Sequence, residues 1–154
     1  MHITARVDYA VRTMLELAAI DDGRPAKAEA LATAQTIPHK FLEAVLADLR
    51  RGGLVNSRRG PEGGYWLARP AAEISIADVI RAVEGPLASV RGERPEDVAY
   101  HGVAETLQNV WIAVRVNLRA VLEEVTLADV VSGELPGAVE ELTKDAGAWE
   151  RRRV

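Results

Sequence analysis

The chain of 154 residues contains no cysteine. That absence excludes disulfide bonds, a thiolate nucleophile, a zinc site with cysteine ligands and an iron–sulfur cluster held by cysteines. No run approaches the roughly 18 apolar residues of a membrane span, and Arg6, Asp8 and Arg12 interrupt the segment where a signal peptide would need its apolar region. We therefore expect a cytoplasmic protein that does not engage a membrane.

What is present is an ordinary globular composition, with 48% apolar and 27% charged residues. The net charge of −4 conceals an asymmetry, because residues 1–70 hold ten Lys and Arg against eight Asp and Glu, whereas residues 71–154 hold nine against fifteen. Residues 50–69 contain one acid, Glu62, and five arginines: Arg50, Arg51, Arg58, Arg59 and Arg69. This local excess of positive charge predicts an anion-binding edge.

The N-terminal part of the chain has the outline of a helix-turn-helix. Apolar residues at helical spacing predict a helix over about 5–20 with Thr4 as its N-cap, followed by a short helix over 28–35. A break at 36–38 precedes a second helix over 39–51, and such a tight connection is typical of a helix-turn-helix. The apolar stripe of the second helix consists of Phe41, Leu42, Val45, Leu46 and Leu49. This leaves other faces for His39, Lys40, Glu43, Asp48 and Arg50.

A β-hairpin, or wing, is predicted next. Segments 54–58 and 65–68 have strand character, and they enclose a loop over 59–64 that is rich in turn-forming residues. A long turn alone would also explain the glycines, but the flanking arginines and the preceding helix pair favour the hairpin. A phosphate-binding loop is not expected, because the GxxxxGK[ST] pattern is missing. A capping box at 75–78 predicts a further helix ending near Glu84.

The C-terminal half contains a long helix with one apolar seam. Its residues are spaced alternately by four and three positions, as in a coiled coil: Leu107, Trp111, Val114, Leu118, Val121 and Val125. A second copy of the chain is the simplest cover for this seam, and packing against its own domain is the alternative. A second capping box at 126–129 predicts a short following helix.

Together these elements suit contact with double-stranded DNA. The second helix would place its N-terminal side chains in the major groove, and the wing would face the minor groove and phosphates. Lys40 and Arg51 would then contact phosphates, while His39 and Glu43 would face base edges; Glu43 as a merely exposed helix acid is an equal alternative. Arg59 beside the loop glycines would approach a narrow minor groove. The candidate DNA-binding residues are His39, Lys40, Glu43, Arg51, Arg58, Arg59, Gly60, Gly63, Gly64 and Tyr65.

Five ordered motifs, spread over about residues 1–132, carry a family resemblance. They are Asp8-Tyr9-Ala10, the segments 41–46 and 53–70, Val83-Glu84-Gly85-Pro86, and the segment 125–129. Together they resemble the Rrf2 (IscR/NsrR-type) family of bacterial transcription repressors. The resemblance implies a winged-helix homodimer that is held together by its long helix and binds a palindromic operator.

The resemblance also implies a sensor that this chain cannot assemble. In many relatives, three cysteines before the dimer helix hold an iron–sulfur cluster, and the residue matching Asp8 supplies a further ligand in some. Here the corresponding segment, 87–103, has no cysteine, and Asp8 alone cannot hold a cluster. His2, His39 and His101 have no metal-ligand spacing, so we expect no metal and no cofactor. The linker, a pocket near Trp111 or a partner protein would then serve effector sensing.

We therefore predict a mainly α fold with a small β-hairpin, consisting of a winged helix-turn-helix and a long dimerisation helix. The expected divisions are a DNA-binding domain (1–86), a linker (87–102), the dimerisation helix with a short following helix (103–132) and a polar C-terminal tail (133–154). The predicted function is a sequence-specific, homodimeric DNA-binding regulator, most simply a repressor, without a cluster. The alternative is a winged-helix protein-interaction module that has lost DNA binding, against which Arg58, Arg59 and Gly60 argue. An enzyme is not expected, because no catalytic constellation is present.

Overall fold

A computed structural model describes residues 1–20 and 22–153, so Asp21 and Val154 lie outside the described part. The described residues form seven α-helices and one antiparallel two-stranded hairpin, which confirms the predicted fold class. In chain order the elements are α1 (Ala5–Ala19), α2 (Ala28–Gln35), α3 (His39–Arg51), β1 (Val55–Arg58), β2 (Gly64–Leu67), α4 (Ile76–Glu84), α5 (Leu107–Leu122), α6 (Leu127–Ser132) and α7 (Gly137–Lys144).

Helix α1 is the centre of the hydrophobic core. It begins as predicted, because the Thr4 hydroxyl accepts a hydrogen bond of 3.2 Å from the backbone N–H of Val7. Its buried residues recur every three or four positions, so that one face is covered by α3, α4 and α6. Met14 and Ala10 on this face are completely buried.

The helix-turn-helix is formed by α2, a short turn and α3. Thr36 ends α2 in the left-handed conformation with φ of 52°, and Ile37 is buried in the turn, its N–H donating to the Ala32 carbonyl at 2.9 Å. The predicted stripe of α3 is buried at Leu42, Val45, Leu46 and Leu49, whereas Phe41 is half-exposed. The turn therefore fixes the angle at which α3 leaves the body.

The expectation that Asp48 faces away from the core is wrong. Its side chain is only 5% exposed, and its carboxylate forms ion pairs with Arg6 of α1 and Arg51 of α3. A carboxylate is tolerated at such a position when cations and hydrogen-bond donors accompany it. Asp48 therefore joins α3 to α1.

A segment outside the hairpin pairs with the wing, and the sequence did not predict this pairing. Strands β1 and β2 pair antiparallel, with Val55 opposite Leu67 and Arg58 opposite Gly64. Ala26, just before α2, forms an isolated bridge with Tyr65, and each backbone N–H donates to the other's carbonyl at 2.8 Å. Backbone hydrogen bonds therefore tie the wing to the helix-turn-helix.

After α5 the chain returns to the body. Both predicted capping boxes are present, at the starts of α4 and α6, and the segment before α6 pairs with the segment before α4. In this pairing the Ile76 N–H donates to the Val125 carbonyl at 2.9 Å. Val125, predicted as the last residue of the dimer seam, lies beyond the end of α5 and is 6% exposed. The expectation that it lies on the exposed seam of the long helix is therefore wrong, because Val125 is buried within its own chain.

Helix α5 is the least covered long element. None of its 16 residues is buried within the chain, and its neighbours include α4 and the short turn at Pro95–Asp97. The segment predicted as a polar tail contains α7, in which Val139 is buried. No helix within residues 1–20 and 22–153 has both the length and the apolar character to span a bilayer.

Candidate DNA-binding surface

The N-terminus of α3 presents three of the predicted DNA-binding side chains on its exposed surface: His39, Lys40 and Glu43. Pro38 precedes the helix and provides no side-chain cap for its first N–H groups. The first turn of α3 also contains no acidic residue. An uncapped helix start carries a partial positive charge and donors that suit a phosphate group.

Glu43 has a definite partner on this surface. Its carboxylate lies 3.7 Å from Nδ1 of His39, and Nε2 of the same ring lies 3.7 Å from the carboxylate of Glu29 in α2. The Lys40 ammonium instead lies 5.7 Å from the centre of the Phe41 ring. His39 therefore connects the starts of α2 and α3, and Lys40 is the unpaired cation among these four polar residues.

Arg51 lies at the opposite end of α3 from this group. Twelve residues separate it from His39, which corresponds to about 18 Å along an α-helix. Its guanidinium pairs with the buried Asp48 carboxylate, although the Arg51 side chain is 74% exposed. The structure therefore gives Arg51 a packing role that the sequence did not reveal.

The tip of the wing carries Arg59 on its surface. The neighbouring Arg58 is also exposed, and its guanidinium donates to the Glu62 carbonyl in the wing loop at 3.2 Å. Arg59 is exposed and forms no ion pair or side-chain hydrogen bond within residues 1–20 and 22–153. Gly60 follows with φ of +105°, a conformation that side chains other than glycine rarely adopt. Arg59 is thus an exposed cation at the tip of the wing whose guanidinium has no partner among the described residues.

Lys27 makes a contact with the wing that sequence reasoning missed. Its ammonium donates to the Gly60 carbonyl at 2.8 Å, across 33 positions of the chain. Lys27 occupies the N-cap position of α2 without a side-chain cap hydrogen bond, and no local pattern there indicates a contact with the wing. It fixes the tip of the wing against the helix-turn-helix.

Three further predicted residues shape the wing rather than project from it. A Cβ atom on Gly63 would lie 2.0 Å from the Arg58 carbonyl oxygen, and one on Gly64 would lie 2.5 Å from the Ala26 carbonyl oxygen. Gly63 is also buried, and Tyr65 is half-buried against the core. Glycine at positions 63 and 64 permits these close backbone contacts, and the contact at Gly64 lets the hairpin pack against residue 26.

The contacts of α2 bring the wing and α3 onto one continuous surface. Lys27 contacts the tip of the wing, and Glu29, two residues later, contacts His39 at the start of α3. The segment 27–29 therefore contacts both the wing tip and the start of α3.

The described residues do not fit an iron–sulfur cluster. Residues 1–20 and 22–153 hold no group of three or more potential ligands among His, Cys, Asp and Glu side chains. Asp8 pairs with Arg12 at 2.8 Å, and Glu96 in the linker pairs with Arg115. The donor set is thus made of isolated, charge-paired carboxylates rather than the thiolates that such clusters need.

A helix-turn-helix that shares an exposed cationic surface with a wing defines the class: a winged-helix, DNA-binding transcription regulator. Comparison with known proteins agrees, since residues 3–133 match the Rrf2 family, which is described as iron-dependent transcriptional regulators. The chain belongs to the Rrf2 family, which confirms the resemblance carried by its motifs.

Individual relatives point the same way. A Mycobacterium tuberculosis protein named as an HTH-type transcriptional regulator is 50% identical over 153 residues, covering 99% of this chain and 95% of that protein. The regulator CymR of Bacillus subtilis is 32% identical over 132 residues, covering 86% and 91%. These relatives are transcriptional regulators and not enzymes.

Solved structures show the same fold. The structure of CymR, the global cysteine regulator of B. subtilis, matches with a TM-score of 0.73 at 30% identity, covering 86% of this chain and 98% of that one. IscR of T. potens matches with a TM-score of 0.67 at 29% identity, covering 99% and 94%.

Proposed function

We propose that this regulator is a homodimeric repressor that recognises a palindromic operator without the help of an iron–sulfur cluster. The observation that carries the proposal is the continuous surface on which Lys27 and Glu29 join the wing tip to the start of α3. On that surface α3 enters the major groove by its N-terminus, and the wing reaches the adjacent minor groove.

Each exposed group on this surface has a role in the proposal. The Lys40 ammonium and the uncapped start of α3 bind phosphates. The paired His39 and Glu43 face the base edges, where a carboxylate accepts a hydrogen bond from cytosine N4. Arg59 enters the minor groove, where negative potential is strongest when the groove is narrow.

A second copy of the chain is the cover that we propose for α5. On this helix Leu107, Trp111, Val114, Leu118 and Val121 are partly exposed, and Val110, on the same side of the helix, is 47% exposed. Two copies related by a twofold axis bury such a stripe symmetrically. The same axis places two copies of α3 on DNA, so a twofold protein reads a palindromic site.

Substitution of Arg59 by Ala tests the DNA-binding role. Binding to a duplex from the region upstream of the chain's own gene is measured by fluorescence anisotropy over a salt series. Loss of a contact to a charged group in both protomers should weaken binding at least about tenfold, and should reduce the slope of log K against log salt by about two.

Lys144→Ala is the matched control, because it removes an exposed cation of α7 that pairs only with Glu141. It should leave operator affinity unchanged. Equal affinities for wild type and Arg59→Ala would refute the proposed role of Arg59. Binding of the wild type no tighter than to random duplexes would refute the proposal and favour the protein-interaction alternative. For the repressor role, deletion of the gene should raise transcription from the bound promoter, and a fall would contradict it.

A further inference from the structure

A cavity lined by arginines lies between α4, the linker and α5. Its volume is about 410 Å³, which is within the range of small-molecule sites. Its floor contains backbone and apolar groups of residues 85–88. Its charged lining comprises Arg81, Arg94, Glu96, Arg115 and Arg119.

Positive charge exceeds negative charge around this cavity. Arg81 and Arg119 share one carboxylate, that of Glu123, and Arg115 pairs with Glu96. Arg94 forms no ion pair within residues 1–20 and 22–153. Arg81 lies 4.0 Å from Asp78 as well, but Asp78 is engaged in the cap of α4. This excess occurs in the half of the chain that is otherwise strongly acidic.

Arg115 is the most buried of the cavity's paired arginines. Its side chain is 15% exposed, and its Nε is buried without a hydrogen-bond partner within the described residues. Because Nε has almost no accessible surface, its missing hydrogen bond is a cost within the fold, and the Arg115 contribution to the cavity is its positive charge. The backbone N–H of Glu96, and after it the Arg115 guanidinium, hold the pKa of the Glu96 carboxyl below its ordinary value. Glu96 therefore stays an anion and does not serve as a proton-dependent gate.

We propose that this cavity binds a small organic or inorganic molecule with two or more negative charges. The planar guanidinium groups of Arg94, Arg115 and Arg119 suit the paired oxygens of carboxylates and phosphates. Four arginines line the cavity, and the carboxylates of Glu96 and Glu123 balance two of their charges. The two positive charges that remain match two negative charges on the ligand. The site provides a ligand-binding function in the part of the fold that lacks cluster ligands, and it does not depend on the proposed operator or dimer.

Calorimetric titration with citrate and with pyrophosphate tests the site, with sodium chloride used to hold ionic strength constant. We expect at least one probe to bind with one molecule per chain. Arg94→Gln and Arg119→Gln should each weaken that binding about tenfold, the loss expected for one charge-assisted hydrogen bond. The preference between the probes distinguishes a carboxylate ligand from a phosphate ligand.

Arg151→Gln is the matched control, since it removes one exposed positive charge near the C-terminus, and it should bind the probe like wild type. Because Arg94 is exposed, its substitution should leave the fold intact. Circular dichroism of the variant checks this. Failure of both probes to bind below about 10 mM, or equal binding by wild type and both cavity variants, would overturn the proposal. Operator binding is measured separately on the same preparations, so that failure of this site and failure of the proposed DNA-binding role are told apart.

Discussion

The buried Asp48 carboxylate offers a sharp test of how α3 is held on the body. Two guanidinium groups compensate it, Arg6 from α1 and Arg51 from α3. Both arginine side chains are at least half-exposed, whereas the Asp48 side chain is 5% exposed. Removing one arginine therefore leaves the carboxylate with a partner, and removing both leaves a buried, unpaired charge.

The expected energies follow from this asymmetry. Arg6→Ala and Arg51→Ala should each lower the free energy of unfolding by about 0.5–1 kcal/mol, the value of a partly exposed ion pair. The double variant should lose about 3–5 kcal/mol, because an uncompensated buried charge remains. The difference predicts a coupling of at least about 1 kcal/mol between the two arginines.

Urea unfolding followed by circular dichroism, at one protein concentration for all variants, measures these values. Adding Asp48→Asn to the double variant removes the unpaired charge and should restore most of the loss. The triple variant also keeps the test decisive if the double variant does not fold. Losses that simply add in the double variant, with no recovery from Asp48→Asn, would refute the reasoning.

Two further substitutions probe the wing and the dimer. Lys27→Met removes the hydrogen bond to the wing tip and should weaken operator binding several-fold at unchanged melting temperature, as judged by anisotropy and thermal unfolding; unchanged affinity would show that the wing needs no such anchor. Val110→Asp places a charge on the seam side of α5 and should convert dimers to monomers in analytical ultracentrifugation, whereas Leu142→Asp, at an exposed site on α7, should not. Equal sedimentation of these two variants would contradict the α5 interface.

Local signals explain what could be predicted from the sequence. The cap at Thr4, the capping boxes at Ser75 and Thr126, and the apolar period of α3 each depend on residues within one or two helical turns. The same holds for the wing, whose turn-forming residues lie together in the chain. The family resemblance joined these pieces into a winged helix.

Contacts between distant positions could not be predicted in the same way. Asp48 and Arg6 are 42 residues apart, and Lys27 and Gly60 are 33 apart, so no periodic pattern relates them. Val125 continued the apolar spacing of α5, but the chain leaves the helix after Leu122 and places it in the core. The helical spacing alone therefore assigned Val125 to the apolar seam of α5, although the tertiary fold buries this residue in the core.

The arginine cavity shows a further limit of sequence reading. Its cations come from α4, the linker and α5, and they are separated by a segment with no clear period. The sequence indicates this region as a candidate for effector sensing, but only the folded chain brings the arginines together.

Footprinting on DNA fragments selected by the wild-type protein from genomic DNA at physiological salt tests the central claim most directly. The account predicts a protected site with two symmetric halves whose centres are about one helical turn, or a small multiple of it, apart, together with two chains bound per site. Selection of fragments without a shared sequence, or protection of a single half-site by one chain, would contradict it.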